Sequence, residues 1–370
     1  MSAHPLRRAV SGRLARTAVV AMAAAALGAG VVAGLDVATG PAAPAASVVQ
    51  AAPVAATTAT SSGAAQAIDF SAVYARRRSG VVSIIASGPA AGGGSGVVIG
   101  DGGRILTNEH VISGAAGITV ELATGRTAEA TVLGTDPSTD LALLKVDVPA
   151  SELEPIPLGD SSRLAVGDPV LAIGDPFGYE ASASAGIVSG LGRTIEAPNG
   201  FSITGAIQTD AAVNHGNSGG ALLNAAGELI GIPAQIADSG VDGNLGVAFA
   251  VPIDTAKEVI ASLSEGGQVQ HAWLGVSTED ISGNGGARIT GLVSGGPAAG
   301  GGLECGDAVT AVGGTAIADS AGLQEAVDAA SPGSKVTLRA TGTDGGERTL
   351  TVTLGERPET AGQSTTACAG

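Results

Sequence analysis

Asn214-His215-Gly216-Asn217-Ser218-Gly219-Gly220 sets one serine among small residues that can turn tightly. A nucleophilic serine needs an exposed hydroxyl and backbone N–H groups aimed at the oxyanion of a tetrahedral intermediate. Small neighbours let such donors converge, and here they would be the N–H groups of Gly216 and Ser218. The chain holds 59 glycines in 370 residues, so the pattern by itself also fits a polar turn. The rest of the chain has to supply the argument.

Serine is inert at neutral pH without a base. Four histidines are available. His4 lies at the extreme N-terminus, His271 lies between two folded regions, and His215 shares the tight serine loop, where its ring need not face Ser218. His110 follows the apolar run Arg104-Ile105-Leu106-Thr107 and is the candidate base, although a lone histidine there also fits a structural role. A base needs an acceptor on its far nitrogen to fix the tautomer. Asp140 fits, in Asp136-Pro137-Ser138-Thr139-Asp140, a turn feeding Leu141-Ala142-Leu143-Leu144-Lys145-Val146. The order His110, Asp140, Ser218 is that of chymotrypsin-like proteases, not of subtilisins or α/β-hydrolases.

Short apolar runs such as Val81-Val82-Ser83-Ile84-Ile85, Gly96-Val97-Val98-Ile99 and Arg104–Thr107 alternate with Gly, Pro, Asp and Asn. Many short strands at such spacing predict an all-β barrel or sandwich. Phe70, Val73 and Tyr74 predict a short helix with Asp69 as its cap, and Ala256, Val259, Ile260 and Leu263 predict another over 253–263. Gly266-Gly267 ends that helix and marks a domain boundary. Beyond it, strands surround one helix at Ala321–Ala329.

Gly94-Ser95-Gly96-Val97-Val98-Ile99, Thr107-Asn108-Glu109-His110-Val111, Thr209-Asp210-Ala211-Ala212-Val213-Asn214 and Gly216-Asn217-Ser218-Gly219-Gly220 together resemble the HtrA (DegP-like) serine proteases. Supporting blocks are Ala172-Ile173-Gly174-Asp175-Pro176-Phe177-Gly178, Gly186-Ile187-Val188-Ser189 and Gly246-Val247-Ala248-Phe249-Ala250-Val251-Pro252. They cover residues from about Ser71 to Ile253, in order and at family-like spacing. The sequence departs from the family beside the nucleophile, where His215 and Ala221 replace prolines. Neither position supplies a catalytic group, and His215 could add a pH dependence.

The resemblance implies a mostly β fold, a chymotrypsin-like double β-barrel followed by a small α/β PDZ domain. Trp273-Leu274-Gly275-Val276 resembles the loop by which HtrA-type PDZ domains grip a peptide's C-terminal carboxylate. The peptide would add as a strand to a sheet edge, with the helix at Ala321–Ala329 as the other wall and Leu323 and Val327 on one face. Ala212, six before the serine, lies where chymotrypsin-like folds place the floor of the substrate pocket. A neutral residue there disfavours cleavage after Lys or Arg, and the resemblance implies small aliphatic residues such as Val or Ala instead.

The expected organisation is an export signal or membrane anchor (1–36), a disordered linker (37–66), the protease domain (67–264), the PDZ domain (268–357) and a flexible tail (358–370). Arg7, Arg8, Arg13 and Arg16 precede an uncharged stretch from Thr17 to Leu35, as in export segments. The formal charge is -16, and the four arginines before Asp36 lie in a segment without acids, so the rest of the chain is more acidic still and no nucleic-acid partner is expected. Aromatics are only 2%, which leaves Ala, Val, Ile and Leu to build the core. No metal-ligand spacing or nucleotide loop occurs, so no cofactor is expected. Cys305 and Cys368 are the only cysteines, and sequence alone leaves their pairing open.

The function implied is ATP-independent extracytoplasmic cleavage of misfolded or specific envelope proteins, with PDZ recognition of peptide C-termini. The alternative is a chaperone or PDZ adaptor with limited or regulated proteolysis; a regulatory protease with one membrane-bound partner would differ in substrate alone. Homotrimers through the protease domains are also implied, with Phe70 and Tyr74 either as contacts there or as core packing.

Overall fold

The computed structural model describes residues 68–368, apart from 90, 101, 176–180, 215, 235–245, 265–266, 284 and 359–364. The expected export segment and linker, and His215, lie outside the described residues. Among the described residues no helix is long and apolar enough to cross a membrane. The first helix, α1 (Phe70–Arg77), is capped by Asp69, whose carboxylate accepts the Ala72 N–H at 3.0 Å.

Six antiparallel strands close the first barrel: β1 (Val81–Ser87), β2 (Gly92–Val98), β3 (Arg104–Thr107), β4 (Gly117–Glu121), β5 (Thr127–Asp136) and β6 (Leu141–Val146). Their order is β1-β2-β3-β6-β5-β4, and a four-residue helix, α2 (Glu109–Ile112), follows β3. Strand β6 is apolar except at Lys145 because both its faces are covered. Ala142, Leu144 and Val146 join one cluster with Val82, Ile84, Val98 and Ile105. Leu141 and Leu143 turn the other way and join Val81, Val97 and Leu106 in a second cluster. This is the two-residue period of a strand read by two cores at once.

A second closed barrel repeats the design with β7 (Pro169–Gly174), β8 (Ser182–Glu196), β9 (Ser202–Thr209), β10 (Ala221–Leu223), β11 (Leu229–Ala234) and β12 (Ala248–Pro252), in the order β10-β11-β12-β9-β8-β7. Leu171, Ile173, Ala221 and Leu223 meet Val81, Val97, Leu141 and Leu143 of the first barrel in one core shared between the barrels. Each fully buried Leu or Ile there contributes about 1.5–3 kcal/mol. Phe70 and Tyr74 pack against the same core, and the Tyr74 hydroxyl donates to the Ala181 carbonyl. Helix α3 (Ile253–Ser264) closes it with Ala256, Val259 and Leu263, the spacing read from the sequence.

The second domain places β14 (Val276–Asp280) at the edge of a sheet ordered β14-β15-β16-β18-β19, after β13 (Ala272–Trp273). The other members are β15 (Ala287–Val293), β16 (Ala308–Val312), β17 (Thr315–Ala316), β18 (Lys335–Thr341) and β19 (Glu347–Thr353). The short helix α4 (Pro297–Gly300) follows β15, and α5 (Ser320–Asp328) buries Leu323 and Val327 as expected. Asp319 caps α5 by accepting the Gly322 N–H at 2.8 Å. β20 (Gly355–Glu356) pairs with β13.

The tail differs from the flexible extension expected. β21 (Thr365–Ala367) pairs with β15 through Gly291, Leu292 and Val293, and Cys368 is bonded to Cys305. A bridge across 63 residues restricts the unfolded chain, which no local pattern near either cysteine announces. Removing it with Cys305→Ser and Cys368→Ser should cost about 2–4 kcal/mol in denaturant unfolding. The same change should raise hydrogen exchange in β21 before any other strand of the sheet.

Candidate active site

His110 reaches Asp140 through the bend that α2 makes after β3. The His110 backbone N–H donates to Asp140 Oδ1 at 2.9 Å, and its ring Nδ1 lies 2.7 Å from Oδ2. A carboxylate can only accept, so Nδ1 carries the proton and Nε2 is left with a lone pair on the far side of the ring. Asp140 is fully buried, whereas His110 keeps 16% of its side chain exposed, enough for a reacting group to approach.

Asp140 is the one non-glycine residue among those described with a positive φ, at 55°. That left-handed backbone persists only where the surroundings over-determine it. The Asp140 carbonyl accepts the Asn108 side-chain amide at 2.8 Å and the Glu109 N–H at 3.1 Å. Asp136, at the start of the turn, accepts from the Ser138 N–H at 3.1 Å and the Thr139 hydroxyl at 2.6 Å. From the second barrel, the Asn199 amide donates to the Pro137 carbonyl at 2.8 Å.

The serine loop is two successive turns, closed by Asn217 N–H to Asn214 O and Gly220 N–H to Asn217 O, both at 3.0 Å. Asn217 joins the two turns, and Ser218 is buried within the second. A Cβ on Gly219 (φ +80°) would collide with Ser95 O and Thr107 Oγ1 and lie 3.1 Å from Asn108 N. The loop therefore packs against β2 and the residues that lead into α2, which brings Ser218 beside the segment bearing His110.

Ser95 organises this junction, and every polar atom of it is used. Its N–H donates to Ser218 O at 2.8 Å, and its carbonyl accepts the Thr107 hydroxyl at 2.7 Å. Its own hydroxyl donates to Gly216 O at 2.6 Å and accepts the Asp175 N–H at 2.8 Å. With its carbonyl held by Ser95, the Gly216 peptide (φ +94°) has a set orientation. Burial, with the charge of Glu121 adding to it, pushes the Asp175 carboxyl up from its usual range.

Ala212 is exposed on the segment between β9 and the serine loop, with its N–H donating to the Ser184 hydroxyl at 2.8 Å. Ala221 opens β10, fully buried and paired with Ile173. Among the described residues no group of three His, Cys, Asp or Glu side chains could hold a metal ion.

Trp273, Leu274, Gly275 and Val276 line one side of a groove of about 430 Å³, and Leu323, Gln324 and Val327 of α5 line the other. Leu274 is buried, and Gly275 (φ +78°) lets the chain turn from β13 into β14. The protease domain contributes Gly200, Phe201 and Ser202 to the rim. That contribution was not legible in the sequence, and neither were the roles of Ser95, Asp136 and Asn199. The partners that matter lie 62 to 135 positions away, on another barrel or domain. The one local signal was Ser95 itself, a polar residue between two glycines in an otherwise apolar strand.

Residues 94–232 match the trypsin-like peptidase domain, and residues 272–354 match the PDZ domain. The serine protease PepD of Mycobacterium tuberculosis is 42% identical over 282 residues, 71% of this chain and 61% of that protein. A probable periplasmic serine endoprotease, DegP-like, of Pseudomonas fulva is 42% identical over 284 residues, 74% of this chain and 58% of that protein. The chain thus spans about three fifths of the length of these curated relatives. Among solved structures, the HtrA-type protease AlgW with decapeptide superposes with a TM-score of 0.66 at 34% identity, covering 79% of this chain and 99% of that one. The serine endoprotease from Yersinia pestis gives 0.62 at 32% identity, covering 78% and 98%. The chain belongs to the HtrA-type serine proteases, with a trypsin-like peptidase domain followed by one PDZ domain.

Proposed function

We propose that this chain is a serine endopeptidase in which Ser218, His110 and Asp140 form the catalytic triad. The observation that carries the reading is the paired grip of Asp140 on His110, with both carboxylate oxygens engaged and the ring's Nε2 free to act as base. In that reading His110 takes the Ser218 proton as the hydroxyl attacks the scissile carbonyl, and Asp140 stabilises the imidazolium that results. The oxyanion is received by the N–H groups of Gly216 and Ser218. His110 then returns its proton to the leaving amine, and water repeats the sequence on the acyl-enzyme.

Substrates are unfolded or specific envelope proteins, cleaved outside the cytoplasm without ATP. Ala212 supports small aliphatic residues before the cleaved bond, since its own side chain offers no charge to Lys or Arg, and Asp210 two residues earlier is already engaged by the Ile187 N–H at 2.7 Å. The place of β14 at the end of the sheet's strand order among the described residues, with the loop Trp273–Val276 beside the groove, supports capture of peptide C-termini by strand addition. Assembly as a homotrimer and attachment to the membrane through residues 1–36, or release after signal cleavage, complete the reading. A chaperone or adaptor role is compatible with the groove, but the engaged His110–Asp140 pair favours catalysis.

A fluorophosphonate probe should label the wild-type chain and leave Ser218→Ala unlabelled, and peptides with Val before the cleaved bond should turn over faster than those with Arg. Labelling that survives Ser218→Ala removes the assignment. Ser95→Ala frees the Gly216 carbonyl and should lower kcat by roughly 10- to 100-fold with KM little changed, read by steady-state peptide cleavage. Trp273 is the only tryptophan, so its emission should report a hydrophobic C-terminal peptide and ignore the same peptide amidated at its C-terminus.

A further inference from the structure

Asp136 is 2% exposed and receives three donors. Two come from inside its own turn, the Ser138 N–H and the Thr139 hydroxyl. The third comes from outside: His271 Nε2 lies 2.9 Å from Oδ1 and 2.8 Å from Oδ2. The carboxylate only accepts, so Nε2 carries a proton and donates between the two oxygens.

His271 is itself anchored in the second domain. Its carbonyl accepts the Arg357 N–H at 2.9 Å, and the next residue, Ala272, pairs with Glu356 where β13 meets β20. The Arg357 guanidinium in turn donates to Asp328 at the end of α5 at 2.5 Å. The histidine is thus backed by the PDZ sheet and helix while its ring holds a carboxylate of the first barrel.

We propose that His271 is a positioning residue that, through Asp136, holds the turn in which Asp140 keeps its left-handed backbone, so that the triad depends on the chain entering the PDZ domain. The bonds within the turn set its shape. The bond from His271 links that turn to an element outside the barrel. Its loss leaves a buried carboxylate without its one donor from outside the turn, and relaxation of the turn displaces Asp140, four residues further along. Trp273–Val276 follow His271 directly, so the triad's support and the proposed carboxylate loop share one short run of chain.

The inference rests on the triad proposed above, and the test separates the two. In the full chain, His271→Phe keeps a ring and removes the donor, His271→Ala removes both, and His271→Gln keeps a donor without the ring. Three readouts are needed: steady-state cleavage of an unstructured peptide, thermal unfolding, and the low-field proton NMR resonance of the His110–Asp140 hydrogen bond. The donorless variants should lower kcat by about 5- to 20-fold with KM within about twofold, and should shift or broaden that resonance. His271→Gln should recover most of the rate and the wild-type resonance. Folded donorless variants with wild-type kcat and an unmoved resonance overturn the proposal, as does a folded His271→Gln as impaired as His271→Phe. A wild-type chain that neither cleaves nor is labelled at Ser218 overturns the proposed function, and the resonance still decides the role of His271.

Discussion

The two carboxylate oxygens of Asp140 on His110, one at its backbone and one at its ring, are the contact around which the site is arranged. A single bond would leave the imidazole free to rotate about its side-chain torsions; two bonds to different parts of one residue fix the residue and its tautomer together. This requires the aspartate to leave the strand direction abruptly, and a positive φ achieves that at a cost in backbone energy. Asn108, Glu109, Asp136 and Asn199 offset that cost with bonds that exist only in the folded chain. The most strained described residue is therefore among the most heavily bonded.

Neither barrel contains the whole site. His110 and Asp140 belong to the first and Ser218 to the second, so their relation is set by how the barrels pack. The shared core of aliphatic side chains supplies the attraction, which is non-directional. Ser95 supplies the direction: it meets Thr107 of its own barrel and Ser218, Gly216 and Asp175 of the other through four hydrogen bonds. Apolar burial brings the halves together, and one buried hydroxyl residue sets their register.

Legibility in the sequence followed the range of the forces involved. β3 and β6 were readable to the residue because two-residue alternation and flanking turns are local. β8 was not readable as a strand, since its 15 residues are rich in Ser and Gly and its pairing with β9 shifts register three times; only Gly186–Ser189 stood out, as a block shared with the family. β13, β20 and β21 are two or three residues long and exist because of their partners. In the candidate site, the contact of His110 with Asp140 could be anticipated from order and neighbouring blocks, and Ser218 was named on the same ground. The supports were not, because Ser95, Asn199 and His271 act across barrels or domains, where no periodicity reaches. Cys305 and Cys368 show the same limit: their chemistry was visible and their meeting was not.

The edge position of β14 carries a hazard that its sequence and surroundings contain. A strand with one unpaired flank is a template for any extended chain, including another copy of this protein, and long flat edges of that kind propagate into aggregates. β14 has five residues, and its register with β15 shifts between Ser277 and Thr278, so the edge is short and bent. α5 and Gly200–Ser202 line the groove beside this strand. A short and bent edge gives a second copy little length to pair with, so the strand that borders the groove is poorly suited to edge-to-edge stacking of the folded molecules.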